Sequence, residues 1–287
     1  MQTLENFAHG PVLGCVAVLL LLLVRGDARR SRWPLWRQYG AAFFVAVALG
    51  GLTELAQIPV GRDASWMDLR SDAIGAAAFL GLSTVLDPRV RGWSRAGIVA
   101  VSLALFAVHS VPLVEVAGAY LRRNAAFPVL QDFTQRLDDS FMSHRFTDLG
   151  LRPLPAPWAR RPGEMALWIK FQAGPWPGVE FFEPRPDWSA YRYLLLDVTN
   201  PTEVVLPLRL RVNDTRHNYE MNDRFNATLP VPPMSRQVLR IPLAEIRTAP
   251  ATRRMDMSDI ADLLFFRASG REGEAAEQMY LSRIWLE

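Results

Sequence analysis

Two pairs of polar residues stand at helical spacing between two apolar runs. Glu54 and Gln57 are three residues apart, and Asp68 and Asp72 are four apart, so each pair shares one helix face. Arg62 lies between the pairs, and a guanidinium can bind two carboxylates or an anionic ligand. Carboxylates held close together can act as general acid and base when burial separates their pKa values. These five residues form a candidate site, catalytic or ligand-binding.

The depth of Asp72 also indicates a role. Only residues 73–86 separate it from Asp87, and a membrane-spanning helix needs about 20 mostly apolar residues. Asp72 must therefore lie inside a helix, where a carboxylate normally faces protein or water and has a partner, with Arg62 as the natural one. The alternative is structural: Arg62 would clasp Glu54, Asp68 and Asp72 and fix a tight turn between two helices.

The surrounding residues supply no clear nucleophile or metal ligand. Ser65 and Ser71 suit turn and cap positions, and Asp68 suits the cap of the following helix. No histidine flanks the cluster in sequence, so a metal site would be all-oxygen, and none is expected. The single cysteine, Cys15, excludes an intrachain disulfide and a cysteine-based zinc site. No cofactor is expected.

The elements that carry these residues are predicted to be four membrane-spanning helices, roughly at residues 6–24, 38–57, 69–86 and 96–116. Loop 25–37 holds five arginines against Asp27, and loop 87–95 holds three against Asp87. These loops sum to +6 in a chain of net charge +3, so the basic charge indicates membrane topology and argues against nucleic-acid binding.

Because arginine-rich loops stay in the cytoplasm, the N-terminus, the loop between the second and third helices and the C-terminal half are predicted to lie outside. Of 32 basic residues, Lys170 is the only lysine, which is typical of GC-rich bacterial coding. The expected location is the bacterial inner membrane, with several helices crossing the bilayer and the C-terminal domain extracytoplasmic.

The spacing of Glu54, Gln57, Arg62, Asp68, Asp72 and Gly75 resembles the motif of the VanZ-like membrane proteins, over about residues 1–120. The resemblance implies a four-helix membrane domain and a link to glycopeptide-antibiotic resistance in some members, without a defined reaction. Asp72 stands where that family usually has asparagine, so the extra negative charge either changes the ligand or needs extra pairing from Arg62 or Arg70. His109 and Glu115 in the fourth helix either approach this cluster or, for His109, bond to a helix carbonyl freed by Pro112.

Downstream of the helices, residues 121–160 are expected to form a connector. Val129, Phe133, Leu137 and Phe141 recur at spacing four and predict an amphipathic helix over 128–142. From residue 164 the apolar period changes to two. Seven short strands, and an eighth near 224–229, predict a β-sandwich over 161–287, with Arg209 and Arg211 alternating with apolar residues on a half-exposed strand.

The segments 187–201, 213–226, 241–246 and 255–266 resemble galactose-binding-like jelly rolls of the carbohydrate-binding-module type. That resemblance implies sugar binding by loops or by a sheet face. Ser282 and Arg283 occupy the region where such domains often carry a calcium-binding aspartate, so structural calcium is not expected. Trp176 and Tyr191 are further aromatic platforms, although aromatics of this kind also serve as core residues. The candidate ligand-binding residues are Asp214, His217, Tyr219, Asp223, Arg224 and Trp188.

The fold predicted is therefore a membrane all-α four-helix bundle followed by an all-β sandwich of the jelly-roll type. The function predicted is recognition of an extracytoplasmic glycan, such as an envelope polysaccharide, a peptidoglycan-type ligand or a glycan-bearing precursor. The alternative is a membrane enzyme that acts on a lipid-linked or envelope glycan precursor, with Glu54, Asp68 and Asp72 as acid/base groups. Transport is a third alternative, although four helices are few for a pore.

Overall fold

The computed structural model describes residues 2–57, 65–134, 137, 139–267 and 278–287, with side chains from residue 7 onward. The chain divides into two compact units, Met1–Gly118 and Ala119–Glu287. Arg62 and Asp63, predicted between the second and third helices, lie outside the described residues. The prediction of four long apolar helices followed by a β-sandwich is confirmed.

The first unit contains helices α1 (Gln2–Gly26), α2 (Leu35–Gln57), α3 (Trp66–Ser83) and the greater part of α4 (Gly92–Ala126). All four are long and apolar enough to cross a membrane. Ser65 caps α3 by accepting a hydrogen bond from the Asp68 backbone N–H at 3.2 Å, so Ser65 is the cap and Asp68 lies in the first turn.

Small residues hold the helices of this unit close together. A Cβ placed on Gly75 of α3 would overlap the backbone of Gly10 of α1, so the two helices touch backbone to backbone there. Ala17, Ala42, Ala46 and Ala76 form the buried seam that continues the contact. Many large apolar side chains, Leu19, Leu23, Phe44 and Leu52 among them, are exposed.

The second unit is a sandwich of two antiparallel sheets. One has the strand order β3-β4-β11-β6-β9, with β1 also paired to β11, and the other has the order β2-β5-β10-β7-β8. The first sheet is built from β1 (Val129–Asp132), β3 (Thr147–Pro153), β4 (Met165–Phe171), β6 (Tyr193–Asn200), β9 (Ser235–Pro242) and β11 (Gln278–Leu286). The second is built from β2 (Met142–Arg145), β5 (Gly178–Phe182), β7 (Leu206–Asp214), β8 (Phe225–Val231) and β10 (Ile260–Phe266), and a short helix α5 (Leu243–Thr248) follows β9.

The segment 128–142 is not the amphipathic helix that its spacing predicts. It contains strand β1 and leads into β2. Its apolar residues serve the sandwich instead: Phe133 and Phe141 are buried, and Leu137 packs against the core. Tertiary packing has overridden a four-residue periodicity that is too short to define a helix.

Candidate functional site

A cleft of about 570 Å³ lies over the outer face of the five-stranded sheet. Strand register builds it from two rows of side chains that cross all five strands. One row runs Ser143, Glu180, Leu264, Arg211, Asn226, and the next runs Arg145, Gly178, Phe266, Arg209, Thr228. The alternate residues, such as Val179, Phe265 and Leu210, enter the core. The volume falls within the range of typical ligand sites.

The cleft is strongly basic. Arg145, Arg209, Arg211 and Arg224 line it together with one carboxylate, Glu180. The Arg211 guanidinium lies 3.8 Å from Glu180, at the long end of an ion pair. The Nε atoms of Arg211 and Arg224 are inaccessible and have no hydrogen-bond partner among the described residues. Burial and the nearby Arg211 lower the pKa of Arg224, which shows that positive charge is concentrated at this point.

Trp176 supplies an aromatic surface at the edge of the cleft. Its side chain is 53% exposed, and its ring meets Phe266 in a T-shaped contact with centroids 5.9 Å apart. The residue has a positive φ of 55°, an uncommon conformation for a bulky side chain. The flanking prolines, Pro175 and Pro177, restrict the loop, and the Pro177 carbonyl accepts a hydrogen bond from the Arg267 N–H at 3.0 Å. An aromatic ring held in this way suits stacking against the C–H face of a sugar.

Asp262 lies on the cleft-facing side of β10, in alternation with Leu264 and Phe266. Burial, reinforced by the negative charge of Glu180, raises the pKa of Asp262 to about 6. Asn213 donates a hydrogen bond to its carboxylate at 2.5 Å. The charge beneath the cleft therefore changes close to neutral pH.

The loop residues predicted to bind ligand are divided by the structure. Asp214 and Asp223 are buried, and both bind Arg253: its Nη1 lies 2.5 Å from Asp214 and its Nε 2.5 Å from Asp223. Burial alone would raise the pKa of Asp214, but hydrogen bonds from Arg253 and from the Asp256 N–H hold that pKa below its ordinary value. The hydrogen bond from Arg253 likewise lowers the pKa of Asp223. These aspartates therefore form an ion cluster within the protein.

The other predicted loop residues occupy three environments. Arg224 lines the cleft. His217 and Tyr219 form an edge-on ring pair with centroids 4.5 Å apart, and Tyr219 is 84% exposed. Trp188 is fully buried, and its indole N–H donates to the Arg185 carbonyl at 2.7 Å, so its ring faces the core. Tyr191 also packs against the core.

A second polar cluster lies at the ends of the helices in the first unit. Glu54 of α2 accepts a hydrogen bond from the Ser65 N–H at 3.0 Å, which places it beside the first turn of α3 and Asp68. His9 of α1 lies at the same end, with Nδ1 3.2 Å from the Asp72 carboxylate. Asp72 is fully buried. The observed partner of Asp72 is thus a histidine from the first helix, while Arg62 lies outside the described residues, Arg70 is exposed, and Gln57 ends α2.

His109 and Glu115 do not join this cluster. The ring nitrogen Nε2 of His109 lies 3.2 Å from the Phe7 carbonyl, and Glu115 is exposed on α4. Because a carbonyl only accepts, Nε2 carries the proton. The freed helix carbonyl that His109 binds belongs to α1, not to the turn before Pro112.

Sequence reasoning did not single out His9 or the cleft as a whole. His9 precedes the motif by 45 residues, and it reaches the cluster only because α1 and α3 touch at Gly10 and Gly75. Three sequence signals do point to parts of the cleft: the alternation of Arg209 and Arg211 with apolar residues in β7, the aromatic platform Trp176, and the candidate ligand-binding residue Arg224. Strand order, which brings β2, β5 and β8 beside β7 and β10, is not readable from that alternation.

No protein-family model matches the chain, and no curated protein matches it. The VanZ-like resemblance of the first unit therefore stays a prediction.

Solved structures resemble the sandwich in fold. One is a family 11 carbohydrate-binding module from Clostridium thermocellum in complex with a β-1,3-1,4-mixed-linked tetrasaccharide, at 13% identity and a TM-score of 0.41, covering 55% of this chain and 93% of that one. A second is a carbohydrate-binding module specific for non-crystalline cellulose, at 13% identity and a TM-score of 0.37, covering 56% and 94%. A third is an exo-β-agarase, at 14% identity and a TM-score of 0.45, covering 55% of this chain and 25% of the agarase. At these identities the likeness concerns the fold alone.

Proposed function

We propose that this protein is a multi-pass bacterial membrane protein whose β-sandwich binds an extracytoplasmic glycan in the cleft over its five-stranded sheet. The observation that carries the proposal is the cleft itself. It joins an exposed aromatic ring, Trp176, to a floor of guanidinium, amide and hydroxyl groups in two ordered rows. Sugars are bound by this combination, because their C–H faces stack on aromatic rings while their hydroxyls need hydrogen-bond partners.

The charge of the cleft favours an acidic glycan. Four arginines face one glutamate at its lining, so the cleft carries an excess of positive charge. A guanidinium binds a carboxylate or phosphate in a bidentate manner, with hydrogen bonds stronger than those between neutral groups. A polysaccharide that carries uronic acids or phosphate would supply these acceptors along its length.

Membrane insertion is supported by the outer surface of the first unit. Leu19, Leu22, Leu23, Phe44, Leu52 and Leu55 are all more than half exposed, a pattern that water disfavours and a bilayer accommodates.

The orientation is supported by the two ends of the bundle. Arg25, Arg89 and Arg95 meet around Asp87 at one end, where burial alone would raise the pKa of Asp87 but Arg89 and Arg25 hold it low. Glu54, Asp68 and Asp72 lie at the other end. Arginine-rich ends face the cytoplasm, so the carboxylate end faces outward.

The test is glycan binding by the full-length protein in nanodiscs of neutral lipid. Polygalacturonate serves as the acidic probe, and dextran of matched length serves as the neutral one, with affinity measured by calorimetry. We expect binding of polygalacturonate that weakens with salt, because screening reduces contacts between charges. Trp176→Ala and Arg211→Met should each weaken binding by at least about tenfold, the cost typical of central contact residues.

Tyr219→Ala is the matched control, because Tyr219 is a still more exposed aromatic residue that does not line the cleft. Its affinity should equal that of the wild type. If Tyr219→Ala loses binding while Trp176→Ala retains it, the glycan binds at the loop that carries Tyr219, and the proposal that it binds in the cleft is wrong. Equal binding of dextran and polygalacturonate would overturn the acidic specificity while leaving glycan recognition in place.

A further inference from the structure

The polar cluster at the carboxylate end of the helices contains buried oxygens that lack partners. Glu54 is 5% exposed, and its Oε1 atom makes no hydrogen bond to any described residue, although Oε2 is bonded to the Ser65 N–H. Asp68 Oδ1 is equally inaccessible and also has no partner in the described part of the chain. A buried acceptor without a hydrogen-bond partner lowers the stability of the fold by about 1–3 kcal/mol, and by more when it is charged.

These oxygens converge with an imidazole. His9, Glu54 and Asp68 come from three different helices, and each offers one donor atom within 4.8 Å of the others. Side chains from three separate helices therefore lie together around one point. The donor set is one nitrogen and two carboxylate oxygens, and zinc and other first-row transition cations bind both ligand types.

The excess of negative charge at this point also favours binding of a cation. Within the described residues, three carboxylates, those of Glu54, Asp68 and Asp72, face one imidazole. Carboxylates at such a depth normally pair or coordinate a metal, since isolated charges are costly to bury.

We propose that His9, Glu54 and Asp68 bind one divalent transition cation of the Zn²⁺ class. Zinc lies about 2.0–2.2 Å from nitrogen and oxygen ligands, so its ligand atoms stand about 3–4 Å apart. The three side chains reach that spacing by moving about 1 Å together. Three protein ligands leave a coordination position open to water or to an oxygen of a ligand.

Asp72 acts as a positioning residue in this site. Its Oδ1 accepts from His9 Nδ1 at 3.2 Å, which leaves the lone pair of the other ring nitrogen, Nε2, for a metal. Its second oxygen lies against Gly50, where a Cβ would collide with it. The absence of a side chain at Gly50 therefore leaves the space that the Asp72 carboxylate occupies beside the histidine.

The test is zinc binding by the full-length protein, purified in detergent without a histidine tag and stripped with chelator. Wild type should bind about one equivalent of Zn²⁺ in a competitive titration and by elemental analysis. His9→Gln and Glu54→Gln should each weaken binding by at least about 100-fold, and Asp72→Asn by about 10- to 100-fold, as loss of an orienting partner does. Glu115→Gln is the control, since it neutralises an exposed carboxylate of the same helical unit and should leave zinc affinity unchanged.

Co²⁺ gives a readout that does not depend on stability. The cobalt-loaded wild type should show visible absorption bands of a nitrogen- and oxygen-ligated ion, and those bands should shift in folded Asp72→Asn. Folded wild type that does not bind stoichiometric zinc would overturn the proposal. An equal loss of zinc affinity in Glu115→Gln and His9→Gln would overturn it as well. Saturation by Mg²⁺ at the same concentration as Zn²⁺ would overturn the assignment to a transition cation. Polygalacturonate binding by metal-stripped protein tests the glycan proposal separately.

Discussion

His109 on α4 hydrogen-bonds to the backbone carbonyl of Phe7 on α1, with 3.2 Å between Nε2 and the oxygen. That carbonyl is the one left free by Pro11, because the N–H that would bond to it in a helix belongs to the residue four positions on and proline has none. The two rings also stack, with centroids 5.2 Å apart. A histidine on one helix thus repairs a gap in the backbone bonding of another, and this ties α4 to α1.

His109→Phe should destabilise the protein because it removes the donor while keeping a ring that can stack on Phe7. The expected loss is about 0.6–2 kcal/mol, the range of hydrogen bonds between membrane helices. In a Pro11→Ala background the backbone N–H of residue 11 satisfies the Phe7 carbonyl, so the same substitution should cost less. Unfolding free energies of the four proteins in detergent give the coupling directly, and strictly additive effects would contradict the assignment.

Gly75→Ala should disrupt the contact between α1 and α3. The added Cβ would overlap the Gly10 backbone, which cannot move aside as a flexible side chain can. Overpacking of this kind costs about 1–3 kcal/mol or more, and the separation of the helices would also move His9 away from Asp72. Thermal unfolding in detergent measures the first effect, and zinc affinity measures the second.

Gly97→Ala is the matched control for that substitution. Gly97 is also helical, and a Cβ there meets nothing within 4 Å. Alanine is a better helix former than glycine by about 1 kcal/mol, so this variant should be as stable as the wild type or more stable. Equal destabilisation by Gly75→Ala and Gly97→Ala would show that the close backbone contact is not the cause.

Arg253→Met should strongly destabilise the sandwich, by about 3 kcal/mol at pH 7, because it leaves the Asp214 carboxylate buried and unpaired. The effect should depend on pH. The pKa values of Asp214 and Asp223 are lowered below the ordinary 3.8, so their stabilisation is complete above about pH 4 and is lost as the pH falls through the lowered values. The difference in unfolding free energy between wild type and variant should therefore shrink below about pH 4.

Arg216→Met is the comparison for that prediction. Arg216 also pairs with an aspartate, Asp256 at 2.5 Å, but its side chain is 66% exposed. Exposed ion pairs contribute about 0–1 kcal/mol, so chemical denaturation should show little change. A loss as large as that of Arg253→Met would mean that burial does not govern these pairs.

The helices and most strands could be predicted because their patterns are local. The long apolar runs and the alternation in residues such as 206–212 depend on a few neighbours along the chain. Strand β1 and the start of β2 escape prediction because Phe133 and Phe141 mimic a helical spacing while they serve a sandwich core. The predicted polar cluster of Glu54 and Asp68 is partly local, because these residues are only 14 positions apart in the sequence.

The parts of the sites that escaped prediction depend on contacts distant in sequence. Nothing local to His9 indicates that it meets Asp72, 63 residues away. Asp214 and Asp223 lie in a loop with the composition of a ligand-binding loop. Only the position of Arg253 shows that both aspartates bind the same arginine within the protein. Polar residues in a loop are thus ambiguous until the opposite charge is located.

Binding of an acidic glycan in the cleft should weaken as the pH rises from 5 to 7.5. The raised pKa of Asp262, about 6, means that this carboxyl is mainly neutral at pH 5 and ionised at pH 7.5. Ionisation adds a negative charge near Arg211 and Arg224, and it offsets their attraction for a polyanion. The folded sandwich should lose stability as the pH rises from the ordinary pKa of 3.8 to about 6, because a raised carboxyl pKa means that the folded state binds the proton more tightly than the unfolded chain.

Asp262→Asn should remove the part of this pH dependence that Asp262 causes and hold the affinity for polygalacturonate near its pH 5 value. A pH profile that is unchanged in Asp262→Asn would contradict the assignment of this effect to Asp262, because that variant cannot ionise at this position.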